Sequence, residues 1–370
     1  MKKTVAFILI IISLLSVLLT SCGEDKYPEV KSTDEESETV MTIEYDGEEY
    51  SVPYELYRAF FLTYKSEFDG GDDSVWTGED KLEYVEKIDA EITKKISEIY
   101  GAFHVAKKIG IGINSDDFNE RIKEYIRISV EGGVIDSAIV KGFEGDYDKY
   151  LASLNEMNLN YSVQSLLFRY SLAIDEIYLY YSGNLDSEEF SENANVGHIE
   201  YSKSDVKDFY DSSESVRVLA AYFPKDYFKL ERVNEIRDTL ASKNGEDEVA
   251  AAIIGYTTQA GSEVKAGELL GKHNLDRQYY GEYIDTAFSL SPFEVSPVIE
   301  VNTGYNDSYV ILYKAAKTDS NFEENYSKAA YVYVQNEIGK ILNSASENML
   351  SGIKYTDYLQ NLDRSLIKMD

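Results

Sequence analysis

Val216-Arg217-Val218-Leu219-Ala220-Ala221-Tyr222-Phe223-Pro224 reads as a buried strand. Its β-branched and aromatic residues suit a pleated surface, its only charge is Arg217, and a proline that cannot donate to a ladder closes it. Downstream the spacing predicts helices over about 230–243 and 246–254, then a glycine-bearing loop over 255–272. A third helix over 276–289 is broken by Ser291-Pro292, and two more strands follow at Val295–Val301 and Tyr309–Ala315. That β-α-α-loop-α-β-β order makes 214–318 a compact α+β domain.

The flanks differ in period. Upstream, Leu82, Val85, Ile88, Ile92, Ile96, Ile99, Phe103 and Ala106 recur at three and four, a helix over roughly 79–109. Thr77 with Asp80 reads as its cap. Further helices are expected after Pro53, after the Ser115 cap, and over about 146–157 and 160–182. One hairpin opens this region: Asp46-Gly47 sits between Thr42–Tyr45 and Glu48–Val52, and such a pair supplies the two positive φ angles a tight hairpin needs. Downstream, Tyr326, Ala330, Val334, Ile338 and Ile341 lie in phase on a helix over about 322–350, before a short extended tail at 353–355. No internal repeat is evident.

The chain carries 67 acidic against 36 basic residues in 370, a formal net charge of −31. That excess excludes nucleic acid as a partner and opposes adsorption to an anionic lipid surface. The start is of another kind. Met1-Lys2-Lys3 precedes an apolar run from Val5 that ends in Leu19-Thr20-Ser21-Cys22-Gly23. A basic start, an apolar stretch shorter than the ~20 residues of a spanning helix and a small-residue end describe a secretory signal over 1–21. Cys22 is the chain's one cysteine, so no internal disulfide is possible. Residues 22–41, polar, acidic and aperiodic after the cysteine, read as a disordered spacer.

The Leu19–Cys22 site resembles a bacterial lipobox. The resemblance implies acylation of Cys22 and a chain anchored by lipid alone to the extracytoplasmic face of the cell membrane. Gly267-Glu268-Leu269-Leu270-Gly271, Gln278-Tyr279-Tyr280-Gly281-Glu282-Tyr283-Ile284-Asp285-Thr286-Ala287-Phe288 and Phe293-Glu294-Val295-Ser296-Pro297-Val298 resemble the second half of a parvulin, or PpiC-type, peptidyl-prolyl isomerase domain. Val216–Phe223 and Tyr309–Tyr313 resemble its first and last strands. The Asp46-Gly47 hairpin with its helix looks like the opening of a SurA-type chaperone domain, and Ser204–Tyr210 resembles the linker helix into the parvulin strand. Together over about 42–360 these features are similar to the PrsA-type extracytoplasmic foldase lipoproteins. The implied layout is a mostly helical chaperone-like part over 42–213, an inserted parvulin-like domain over 214–318, and a C-terminal helix over 319–370 that packs back on the chaperone part.

Prolyl isomerisation rotates a bond with a barrier of about 18–20 kcal/mol and needs neither nucleophile nor metal. Parvulins pair an apolar pocket with two strand histidines. Here the resemblance puts Ala220 and Tyr309 at the histidine positions, Leu269 at the aspartate of the glycine turn, and Tyr279, Tyr283, Phe288 and Tyr309 around the pocket. No catalytic residue, metal site or cofactor is expected. His104 reads as a helix-face residue and His198 as a linker residue; His273 and Tyr309 are the candidate substitutes for a missing histidine. No HExxH, CxxC, GxSxG or P-loop pattern is present. The leading expectation is a membrane-anchored foldase for unfolded or nascent secreted proteins, with isomerase activity weak or lost. A non-catalytic holdase or envelope scaffold stays open beside it, as does a homodimer; a solute-binding lipoprotein is disfavoured by the long helical stretch 53–182.

Overall fold

The computed structural model describes residues 27–30, 38–69, 73–76, 81–135, 138–183, 197–274, 277–302 and 307–367. The signal segment, Cys22 and the Thr77/Asp80 cap lie outside them. The chain runs β1 (Thr39–Tyr45), β2 (Glu48–Pro53), α1 (Tyr54–Asp69), α2 (Lys81–Lys108), α3 (Asp116–Glu131), β3 (Gly133–Ile135), β4 (Ala138–Val140), α4 (Tyr147–Glu156) and α5 (Tyr161–Ser182). It continues through α6 (Lys203–Asp211), β5 (Ser215–Pro224), α7 (Leu230–Ala241), α8 (Glu246–Tyr256), α9 (Gly261–Ala266), β6 (Glu268–Gly271) and α10 (Arg277–Ser289). After β7 (Ile299–Asn302) and β8 (Asp307–Lys314) come α11 (Asp319–Glu324), α12 (Tyr326–Ser351), β9 (Ile353–Tyr355) and α13 (Asp357–Asn361). The fold is α+β. Two compact units are formed, one from 1–177 with 341–370 and one from 178–340. No helix among the described residues is long and apolar enough to cross a membrane.

In the helical unit, Asp46 and Gly47 both take positive φ, so β1 and β2 close as the hairpin the pair predicts. The expected extended tail is β9, which pairs antiparallel with the other edge of β1. The predicted stripe of α2 is buried from Val85 to Ala106, while Leu82, in its first turn, is exposed. Lys107 and Lys108 close its last turn, where the helix dipole favours cations. Ser115 caps α3 by accepting from the Phe118 amide. Gly101 of α2 faces the α12 backbone, and a Cβ there would stand 2.9 Å from the Ser346 nitrogen. The Ser97 and Ser346 hydroxyls meet at 2.9 Å beside it.

Some expectations give way here. The stretch 53–182 is not purely helical, because Gly132 and Gly133, both at positive φ, end α3 and open the short hairpin β3–β4. Nor is 22–41 wholly a spacer: β1 starts at Thr39 rather than Thr42, and within 27–30 Val30 is buried at 7% exposed.

The second unit is built on a four-stranded antiparallel sheet in the order β6-β5-β8-β7. Its two faces follow the alternation along β5. Leu219, Ala221 and Phe223 pack with Val233, Ile236 and Leu240 of α7, Val249 and Ile253 of α8 and Val264 of α9. Val216, Val218 and Ala220 pack with Ile284 and Ala287 of α10 and with Val310 and Leu312 of β8. The stretch expected as a loop, 255–272, holds α9 and strand β6. The helix expected over 322–350 is divided at Asn325, where Thr318 caps the separate short α11. Parallel βα units of the kind a solute-binding lobe repeats are not found among the described residues, where every strand pairing is antiparallel.

Candidate functional site

β5 carries Arg217 with its face toward α9 and Ala220 and Tyr222 with theirs toward α10. The buried Arg217 guanidinium donates to the carbonyls of Ala266, Lys265 and Ala316 at 2.8, 2.7 and 2.8 Å, and to Glu246 at 2.7 Å. These bonds pin the corner leading into β6. At that corner Gly267 takes φ +71°, and a Cβ on it would stand 2.8 Å from the Val218 carbonyl oxygen. The tight turn aligns β6 on β5 with Glu268 opposite Val218 and Leu270 opposite Val216. Glu268 therefore shares the α10 face.

Three polar groups meet there. The Tyr283 hydroxyl donates to Glu268 Oε2 at 2.6 Å. The Tyr222 hydroxyl lies 3.0 and 3.1 Å from the two carboxylate oxygens and 3.2 Å from the Tyr283 oxygen. Burial pushes the Glu268 carboxyl above the usual range, against the two phenol bonds and the charge of Lys328, which pull it down. Burial, then the neighbouring carboxylate, raises the Tyr283 phenol well above its ordinary value. Tyr283 is 5% exposed. The cluster consists of a half-buried acid held by two phenols beside an apolar layer of Ala220, Ala287 and Leu312.

The expected pocket is only partly assembled. Tyr283 and Phe288 of α10 lie on the same face as Ala220. Tyr309 does not. It pairs with Phe223, packs on the α7–α9 face, and lies under the Lys225 ammonium at 5.2 Å from the ring centre. The β8 residues that face α10 are Val310, opposite Tyr222, and Leu312, opposite Ala220. Tyr309 therefore belongs to neither the cup nor a histidine position facing Ala220, because one step along a strand turns a side chain to the other face. The Tyr279 side chain lies outside the described residues. Leu269, opposite Arg217, faces away from α10; the carboxylate on this face comes from its neighbour Glu268. Tyr222 and Glu268 were not singled out from the sequence.

None of the three histidines joins the cluster. His104 is buried in α2 with Nδ1 2.8 Å from the Tyr50 hydroxyl, and burial lowers its pKa. His198 stacks on Tyr180 at 3.7 Å with its Nδ1 2.8 Å from the Tyr180 carbonyl. His273 directs Nε2 toward Glu214 at 3.6 Å, and its amide donates to Asn336. Among the described residues no group of three or more His, Cys, Asp or Glu side chains could hold a metal ion.

No protein-family model and no curated protein match the chain. Among solved structures it is similar to the foldase protein PrsA of Streptococcus pneumoniae, at 14% identity and TM-score 0.30, over 74% of this chain and 89% of that one. It is similar to PrsA of Lactococcus lactis at 12% identity and TM-score 0.23, over 90% and 100% of the two chains. PrsA of Bacillus subtilis matches at 14% identity and TM-score 0.23, over 84% and 91%. Overlaps this loose leave the fold to rest on the chain's own sheet order and packing.

Proposed function

We propose that this protein is an extracytoplasmic foldase, anchored through acylated Cys22, that binds unfolded secreted chains and has weak or no prolyl isomerase activity. Residues 42–213 and 319–370 act as the chaperone part and 214–318 as a parvulin-like domain. The observation that carries this reading is the α10 face. The parvulin-like motifs on β5, the β6 turn and α10 meet on one side of one sheet, while Val295 and Val298 at the entry to β7 pack on the other. At the centre of the α10 side stand Ala220, Tyr222, Glu268 and Tyr283, with no histidine among them.

The chemistry favours binding over catalysis. Lowering the rotation barrier requires a desolvated imide and a donor aimed at its nitrogen. Tyr222 and Tyr283, the phenols described on this face, both point at Glu268 and are engaged. The anchored, strongly acidic chain stands off an anionic surface, which keeps client-binding surfaces in the aqueous space outside the membrane.

The test has two arms. The purified chain is expected to suppress aggregation of a reduced, unfolded secreted protein at stoichiometric amounts. It is expected to leave the cis–trans rate of a proline-containing tetrapeptide within about twofold of the uncatalysed rate, which is set by the intrinsic barrier. No suppression would sink the foldase reading. Efficient isomerisation abolished by Tyr283→Ala or Phe288→Ala would sink the non-catalytic part. Anchoring is tested separately: Cys22→Ala should abolish incorporation of a labelled fatty acid.

A further inference from the structure

Residues Tyr27–Val30 fall in the stretch the sequence marks as a spacer, yet they lie against a tyrosine-rich surface of the helical unit. The Tyr27 ring sits 5.6 Å from that of Tyr147, and its hydroxyl donates to Glu131 at 3.0 Å. The Tyr161 hydroxyl donates to the Pro28 carbonyl at 2.7 Å. Pro28 and Glu29 are exposed, and Val30 is buried. The receiving surface is a run of rings. Tyr147 contacts Tyr150 and Tyr161 at 6.1 and 6.3 Å, and Phe143 contacts Tyr150 at 6.0 Å. Tyr150 is 4% exposed, and its hydroxyl has no partner among the described residues.

These are the parts of a peptide-reading groove. Tyr147 is a platform for an aromatic side chain. Tyr161 donates to a main-chain carbonyl. Proline after the aromatic residue fixes its own φ and keeps the segment extended. The residues bound at each end, Tyr27 and Val30, are three apart, with the solvent-facing positions between them.

We propose that this surface is a binding site for extended client segments with an aromatic residue, a proline next to it and an aliphatic residue two further on, and that Tyr27–Val30 occupies it in cis as a displaceable strap. The proposal rests on the foldase reading only for the source of the trans ligand; every residue in it belongs to the helical unit and none to the α10 face. A strap joined to β1 by so few residues works at an effective concentration of about 1 mM, so a trans peptide of ~0.1 mM intrinsic affinity would bind about tenfold more weakly while the strap is seated.

The probe is a fluorescein-labelled peptide copying Asp25 to Lys31, titrated by anisotropy into the purified full chain. The expected result is that Tyr27→Ala/Val30→Ala binds it about tenfold more tightly than the parent chain does. Adding Tyr161→Phe to that variant should weaken binding by about fivefold, the loss of one neutral hydrogen bond, with an unchanged melting curve. A permuted peptide with proline ahead of tyrosine should not bind. Equal affinity for parent and strap variant, no binding to either at millimolar peptide, or no effect of Tyr161→Phe would each overturn the proposal. The peptide titration reads the groove without a client, so its failure and the failure of aggregation suppression are separate results.

Discussion

Replacing Tyr283 with phenylalanine removes one oxygen and nothing else from the α10 face. In the parent chain Glu268 accepts from Tyr283 at 2.6 Å and from Tyr222 at 3.0 Å. Tyr222 has a single proton, so the Tyr283→Phe change leaves the desolvated carboxylate with one phenol donor. A charge-assisted bond of this kind is worth about 1.5–3 kcal/mol, and with the apolar contacts of the ring kept the loss should be ~2 kcal/mol where the carboxyl is ionised. In a unit of this size that lowers the melting temperature by about 4–8 °C. The sign with pH follows from burial, which raises the Glu268 carboxyl in the folded state. A raised carboxyl contributes stability that is whole below the unfolded glutamate pKa of about 4.3 and is lost as pH rises through the folded value. Losing the Tyr283 hydroxyl raises the folded value further, so the variant's deficit should be small at pH 4 and should grow to a plateau above the folded pKa. Urea denaturation followed by tyrosine fluorescence at pH 4 and pH 8 measures both ends. Glu268→Gln, which has no charge to satisfy, should cut the pH 8 cost of Tyr283→Phe by at least half in a double-mutant cycle. A deficit equal at both pH values, or undiminished when Glu268→Gln is already in place, would refute the argument that a desolvated ionised acid holds this cluster together.

Four further substitutions test the packing. In the helical unit the Arg364 guanidinium donates to the Tyr57 hydroxyl at 3.1 Å and to the buried Asp89 at 3.2 Å. Arg364→Ala should therefore cost about 3 kcal/mol in urea denaturation, with Asp89→Asn restoring part of it because the stranded charge is gone. Phe293 holds φ +68° while 59% exposed. Phe293→Gly should raise stability by between ~0.5 and 1 kcal/mol as the left-handed strain is relieved, read as a shift of the denaturation midpoint. Gly101→Ala drives a Cβ into the α12 backbone at 2.9 Å and should destabilise by about 1–3 kcal/mol in the same assay.

The elements that periodicity revealed are those long enough to show a period. The α2 stripe, the Asp46-Gly47 hairpin and the β5 run all stand where their patterns place them. What stayed hidden was short and owed its form to a partner. Strand β6 is four residues, Glu-Leu-Leu-Gly, with no alternation of its own, and becomes a strand by pairing with β5. Likewise β3 and β4 are three residues each and exist by pairing with one another, and α9 is a six-residue turn of helix against β5. Ladder hydrogen bonds made across a sheet leave no trace in a local window.

The site was legible to the same degree and for a related reason. Sequence likeness located the strand, turn and helix that surround it, but the membership of the site is decided by strand parity. The resemblance groups Tyr309 with Tyr283 and Phe288. Its pairing with Phe223 sends it to the α7–α9 face. Glu268 is one of 67 acidic residues, and nothing in its neighbours marks it as desolvated. Yet if 268–271 is a strand, Glu268 must share a face with Leu270, and a carboxylate in step with a core leucine requires donors opposite it. Tyr222, two residues beyond Ala220 on the central strand, and Tyr283, at the pocket position of α10, are the side chains placed to give them. The polar network of the α10 face is therefore built across two neighbouring strands and one helix, around an acid that engages both Tyr222 and Tyr283, and strand parity rather than any local pattern brings its members together.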